Sequence, residues 1–225
     1  TPELTIRLLR PRNTIWCQVN GCLVGYDFDK GDYVGLLAER WEVKNPNTWI
    51  FYLRKNLRFH DGTPMTAADV VHSYKRVSTD PQSKQMQNVS PIASAEAINP
   101  TTVQITTKEP TAPLLEYISD KFSITSKAVY DKYGPEVGDR KFPIGAGPYK
   151  FKELIPGQHF VIAKNLEHPD VKKNPQAPDE LIYRVMREPE QRMTALLNGE
   201  IQIAQFVPPH LRERIEANPN SRLVS

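Results

Sequence analysis

Residues 36–77 read LLAERWEVKNPNTWIFYLRKNLRFHDGTPMTAADVVHSYKRV, and this stretch decides the fold. Short aromatic and β-branched runs at 41–43, 49–53 and 57–60 predict three strands, separated by Asn45-Pro46-Asn47 and Lys55-Asn56 breakers. The turn Asp61-Gly62-Thr63-Pro64 stops the last of them. Thr66 and Asp69 have the spacing of an N-cap and an acidic third residue, which predicts a helix running to about Val77. Its apolar side includes Val70, Val71, Tyr74 and Val77. By periodicity alone this is a small α+β unit.

Working outward, breakers and apolar runs set the organisation. Residues 79–90 read as a surface loop or short helix. Residues 95–98 and 102–107 flank Asn99-Pro100 as a hairpin. Short helices are expected after Pro113, where the missing N–H of proline costs nothing, and from Ser126 to Tyr133, ended by Gly134-Pro135. Residues 148–154 and 159–163 form a second hairpin. From 181 onward the pattern alternates: strand 181–185, helix 189–197, strand 201–206, a helix from Pro208-Pro209 to about Asn218, and a strand starting at Leu223-Val224. That alternation predicts a βαβ layer around a partly parallel sheet, while the middle of the chain reads as antiparallel.

Composition narrows the function classes. The 225 residues can bury a substantial core. Net charge is +3, with 29 basic and 26 acidic residues dispersed along the chain, so neither a basic run nor basic-aromatic interleaving points to nucleic acid. No apolar stretch approaches a membrane span, so direct membrane insertion is not expected. Cys17 and Cys22 are the two cysteines. If residues 14–23 are helical, as Ile15, Val19 and Cys22 suggest, side chains five apart cannot meet, and two unpaired, largely buried thiols are expected.

Catalytic patterns are weak. His60-Asp61 could be a base and its orienting carboxylate, but neighbours on an extended segment point to opposite faces, and a turn-forming Asp before Gly is the better reading. His60, His72, His159, His168 and His210 lack H-x-x-x-H or H-x-H spacing, so no metal site is expected. Gly145-Ala146-Gly147-Pro148 lacks the Gly-Lys-Ser/Thr of a phosphate loop, and there is no G-x-S-x-G elbow. The chain reads as a non-enzyme without a cofactor.

Three separated segments carry a resemblance. Residues 37–43 (LAERWEV) and the W-x-F-x-L-R-K-x-L-x-F-H-D-G-x-P-x-T-A-x-D-V-V-x-S pattern over 49–73 closely resemble the family 5 extracellular solute-binding proteins. These are the oligopeptide, dipeptide and nickel receptors of ABC importers. PIGAGPYKF at 143–151 resembles that family's P-x-G-x-G-P-Y-x-F segment. QRMTALLNGEI at 191–201 resembles its R-x-x-A-L-x-x-G-E-x-D element, with Gln202 where aspartate is usual, so no role of that carboxylate carries over.

The resemblance implies a mixed α/β fold: one lobe of a type II periplasmic-binding-protein-like receptor. Residues 1–24 and 141–225 would form a discontinuous βαβ domain facing the ligand. Residues 25–140 would form an inserted small antiparallel α+β domain, and the second lobe would lie outside the chain. It further implies an exported protein, periplasmic or extracellular, seen in mature or trimmed form because no signal peptide precedes Thr1. The implied partners are a small solute, foremost a peptide, and the membrane permease of an ABC importer. A sugar, an opine or a metal chelate is the alternative ligand class, and a sensor or chaperone-like module without transport the alternative role. Candidate ligand contacts are Arg10, Arg12, Asn13 and Trp16 before and within the first helix, and Gly145, Ala146 and Gly147 near the hinge, where glycine permits close backbone approach. Arg10 and Arg12 could meet a carboxylate or be plain surface charges. Trp16 could be a pocket wall or a core residue.

Overall fold

The structure, a computed structural model, describes residues 11–80, 86–119, 121–136, 144–221 and 223. In chain order the elements are α1 (Pro11–Asn20), β1 (Val24–Asp27), β2 (Asp32–Gly35), β3 (Ala38–Asn45), β4 (Thr48–Leu53), α2 (Ala67–Thr79) and α3 (Met86–Val89). There follow β5 (Ile92–Asn99), β6 (Thr102–Thr107), α4 (Leu114–Ile118), α5 (Lys127–Glu136), β7 (Tyr149–Ile155), β8 (His159–Lys164) and α6 (Pro169–Lys173). The last are β9 (Glu180–Arg184), α7 (Pro189–Leu197), a 3-10 turn at Pro209–Leu211 and α8 (Arg212–Glu216). The chain divides into two units. One comprises Arg12–Lys152 and Ile162–Leu181; the other includes Glu153–Val161 and the chain from Ile182 onward.

The first unit is built on the four-stranded antiparallel sheet β3-β4-β6-β5. Its central strand β4 is aromatic and β-branched, with Trp49, Ile50, Phe51 and Leu53 all buried. Val70 and Val77 of α2 join Phe51, Val103 and Ile105 in one core with Leu114, Ile118 and Phe122. Thr66 is extended at φ −134° and caps α2, while the Asp69 carboxylate accepts the Thr66 N–H at 2.9 Å. The other oxygen of Asp69 accepts the Lys127 N–H at the start of α5 at 3.0 Å. One buried carboxylate thus serves two helix N-termini, where negative charge is favoured.

Several expectations need correction. Residues 57–60 are not a strand. Phe59 N–H donates to Thr63 at 2.9 Å and Met65 N–H to Leu57 at 3.0 Å, closing a tiny loop with one bridge, Arg58 to Pro64. Pro64 has no N–H to extend that bridge into a ladder. The first helix spans Pro11–Asn20, shifted toward the N-terminus from the expected 14–23.

That shift overturns the thiol expectation: Cys17 and Cys22 form a disulfide, with Cα atoms 5.3 Å apart. The helix ends before Cys22 because Gly21 takes φ +84°, donates its N–H to the Cys17 carbonyl at 3.0 Å and turns the chain back. A Cβ at position 21 would also lie 2.7 Å from Leu37 Cδ1.

Strands β7, β8 and β9 form a three-stranded sheet in that order. Lys164 N–H bonds Asp179 and Val185 N–H bonds Gln158, so β9 runs antiparallel to β8. The strand expected over 201–206 does not form, and the parallel step toward it is not made among the described residues. Phe206 sits at φ +57°, which breaks an extended run for a bulky side chain. Of the strand expected at 223–224, Leu223 is irregular and Val224 lies outside the described residues. In the second unit Met193, Leu211 and Ile215 are buried together, with Leu196, Leu197, Ala204 and Val207 packed around them.

Candidate ligand-binding site

The candidate residues fall at opposite ends of one helix. Arg12 and Asn13 lie in the first turn of α1 and Trp16, half-buried, one turn later. Arg10 lies outside the described residues. Val19 lies seven positions after Arg12, which at about 1.5 Å per residue is roughly 10 Å along the axis.

The glycine segment meets the other end. Ala146 N–H donates to the Asn20 carbonyl at 3.0 Å and Gly147 N–H to the Val19 carbonyl at 2.9 Å. Gly145, Ala146 and Gly147 are all buried. A Cβ on Gly145 would lie 2.0 Å from the Val19 oxygen, and one on Gly147 would lie 2.2 Å from the Gln18 oxygen. No side chain fits either place. The close approach that glycine permits is therefore made here to the backbone of α1.

The segment is also gripped by His60, which carries no catalytic or metal motif. His60 N–H donates to the Gly145 carbonyl at 2.8 Å, and Gly145 N–H donates back to Nδ1 of the His60 ring at 3.3 Å. The ring Nε2 lies 3.0 Å from the Gly147 carbonyl oxygen. An acceptor at Nδ1 and an acceptor opposite Nε2 define the neutral tautomer with its proton on Nε2. Burial pushes the imidazole pKa down to about 4, with Lys150 and His168 adding to the drop and the Gly147 carbonyl and Asp61 opposing it. The signal for His60 was available in the F-H-D-G run, but it names a position and no partner. Asp61 takes the turn role: its Oδ1 accepts the Thr63 N–H at 3.0 Å and the Thr63 hydroxyl at 2.6 Å.

Further supports were not visible in the sequence. Asn165, buried, donates Nδ2 to the Gly147 carbonyl at 3.4 Å, and its N–H bonds Pro148 at 2.9 Å. Ile124 N–H donates to Gly21 at 2.9 Å, and Cys22 bridges Ser123. Arg54 pairs with Asp170 at 2.7 Å and donates to the Gly35 carbonyl at 2.9 Å, joining the end of β4 to β2 and to α6. His168 caps α6 by accepting the Asp170 N–H at Nδ1, 3.2 Å away, and burial lowers its pKa. The end of α1 is thus fixed by a disulfide, a glycine segment and the bridge to Ser123 and Ile124. Among the described residues no three His, Cys, Asp or Glu side chains gather as a metal site, and no helix is long and apolar enough to cross a membrane.

Comparison with known proteins gives this scaffold its relatives. The family model for bacterial extracellular solute-binding proteins, family 5 (middle), matches residues 32–224. The glutathione-binding protein GsiB of Escherichia coli K12 is 32% identical over 197 residues, covering 84% of this chain and 37% of GsiB. The structure of AgaA from A. tumefaciens R10, solved with agropinic acid, superimposes with a TM-score of 0.80 at 29% identity, over 92% of this chain and 42% of AgaA. OppA of Burkholderia pseudomallei shares the fold at a TM-score of 0.82 and 23% identity, over 93% of this chain and 44% of its own. The chain thus spans a little over a third of the length of the curated relative and under half of the solved ones. With three signature segments, the fold and a family match across 32–224 in agreement, the chain belongs to the bacterial extracellular solute-binding proteins, family 5.

Proposed function

We propose that this chain is part of the substrate-binding component of an ABC importer, capturing a short peptide or peptide-like acid outside the cytoplasm and delivering it to a membrane permease. The observation that carries the ligand class is the 32% identity to a glutathione-binding protein, glutathione being a small peptide with free carboxylates. In this reading the chain supplies one lobe of a two-lobed receptor that closes about its ligand by a hinge. Residues 1–24 and 141–225 form the ligand-facing domain of that lobe, and residues 25–140 are inserted in it. Arg10 and Arg12 are suited to a ligand carboxylate, which a guanidinium can hold by two parallel hydrogen bonds. Asn13 can pair with ligand amides and Trp16 can wall an apolar side chain. Gly145, Ala146 and Gly147 act by seating the helix that carries these contacts.

A second reading, an opine-type ligand, is favoured by the 29% identity to AgaA. Both ligands bear carboxylates, so the same arginines would serve. Titration calorimetry on the full-length receptor with glutathione, trialanine and agropinic acid separates them. Binding of glutathione or trialanine at about micromolar Kd, near −8 kcal/mol, supports the peptide reading. Binding of agropinic acid alone replaces it, and no heat with any of the three rejects both.

A further inference from the structure

Two of the three family-like segments, the F-H-D-G run and the P-x-G-x-G-P-Y run, are joined by hydrogen bonds of the His60 ring to the glycine segment. The imidazole makes a bond to each of Gly145 and Gly147, and the backbone N–H of the same residue makes a third. The N–H groups of Ala146 and Gly147 are hydrogen-bonded to the last turn of α1 at Asn20 and Val19. Gly145 and Gly147 cannot carry a side chain to hold themselves in place, because any Cβ would collide with α1 carbonyls. Ala146 is buried in the main core with Ile144 packed against it, and His60 is the side chain that bonds both glycines, with Asn165 adding a longer bond to Gly147.

We propose that His60 is a positioning residue for ligand capture: in its neutral, Nε2-protonated form it clamps Gly145 and Gly147 against the C-terminal end of α1 and so fixes the helix that presents Arg12, Asn13 and Trp16. The proposal rests on the ligand-capture reading for its consequence, not for its geometry. It also makes the clamp sensitive to acid. A proton added at Nδ1 removes the acceptor of the Gly145 N–H and leaves two donors facing each other. The groups around the ring set how readily this happens: Asp61 in its own turn and the Gly147 carbonyl favour the added proton, while Lys150 of β7 and His168 at the start of α6 oppose it.

The full-length receptor, ligand-free, tests the clamp directly. In His60→Ala the amides of Ala146 and Gly147 should exchange hydrogen at least about tenfold faster than in wild type, with those of β4 unchanged, as a local opening requires. Equal exchange at 146 and 147 overturns the clamp. Imidazole nitrogen shifts of the wild type, which need no variant, should report one neutral Nε2–H tautomer down to pH 6. A charged ring at pH 6 overturns the proposal even if the variant fails to fold. For the consequence, glutathione affinity should weaken by about tenfold in His60→Ala, a coupling of ordinary size. Unchanged affinity in a variant whose 146 and 147 amides exchange faster overturns the positioning role. A wild-type receptor without affinity for glutathione instead rejects glutathione as ligand, and the clamp then stands or falls on exchange and tautomer.

Discussion

The sheet β3-β4-β6-β5 and the stretch 201–207 are both rich in apolar and β-branched residues, yet one forms strands and the other does not. In β4 the run Thr48–Leu53 lies between β3 and β6, so its backbone groups are paired on both edges and Phe51 is fully buried. In 201–207, Ile201, Ile203, Ala204, Phe206 and Val207 find no neighbouring strand among the described residues. Ala204 and Val207 instead pack on Met193, Leu211 and Ile215, and Phe206 is left 72% exposed. β-propensity is a fit to a pleated, half-buried surface and has no effect without one. Alternation therefore predicts a strand only where a second segment is there to receive it.

The largest expected effect tests whether the two cores are unequal. Phe51→Ala removes a buried ring from the first core and should destabilise it by about 4 kcal/mol. Met193, also fully buried, sits in a cluster of three buried residues that can collapse around a smaller side chain. Met193→Ala should cost about 2 kcal/mol, at the low end of its class for that reason. Denaturant midpoints followed by tryptophan fluorescence and by far-UV dichroism measure both. Equal losses from the two variants would break the distinction drawn between the cores.

Next in size is the disulfide, whose formation depends on a contact remote in sequence. Thr66 and the 95–107 hairpin were readable because their signals are local: a hydroxyl three residues before a carboxylate, and a breaker between two β-branched runs. The Cys17 to Cys22 pair departs from the sequence expectation because its outcome hangs on where α1 ends. That depends on Gly21 adopting φ +84° against Leu37, a contact sixteen positions away in sequence. The site has the same character. Arg12 and the glycines could be nominated from pattern, while His60 and Asn165 act through backbone partners roughly ninety and twenty residues distant, which no local pattern encodes. Closing so short a loop should be worth about 2 kcal/mol by chain entropy. Cys17→Ser with Cys22→Ser should lower the midpoint accordingly, and reduction with a thiol reagent under unfolding conditions should reproduce it. A difference near zero would mean that Gly21 and the 122–125 pairing hold the end of α1 unaided.

Acidification gives a smaller effect with a definite sign. His60 titrates near 4 in the folded protein against 6.5 when free, so between these values the unfolded chain binds more protons. Stability is then full above about pH 6.5 and falls as pH drops toward 4. The shift itself would allow about 3 kcal/mol, but the ring is not wholly shielded from water, and about 1–2 kcal/mol is the expected loss. His72 and His168 are lowered in the same direction by burial. The contribution of His60 is therefore read as the part of the pH slope that His60→Gln removes. A slope untouched by that change would assign the acid sensitivity to the other two and detach it from the glycine segment.

The smallest effect concerns the best-defined local signal in the chain. Thr66 is extended at the head of α2, with its N–H and hydroxyl both donating to the Asp69 carboxylate, at 2.9 and 3.2 Å. Thr66→Ala removes the hydroxyl and leaves the backbone bond, so Asp69 keeps the Thr66 and Lys127 N–H donors. The expected loss is about 1 kcal/mol, the usual cost of replacing such a cap by alanine. Asp69→Ala should cost more, because it strips the N-termini of α2 and α5 together and leaves the Thr66 and Lys127 amides to find other partners. The order of the two variants in a urea titration is thus the sharper measurement. If Thr66→Ala were the more damaging, the cap would rest on the threonine hydroxyl, and the shared carboxylate would not be what couples the two helices.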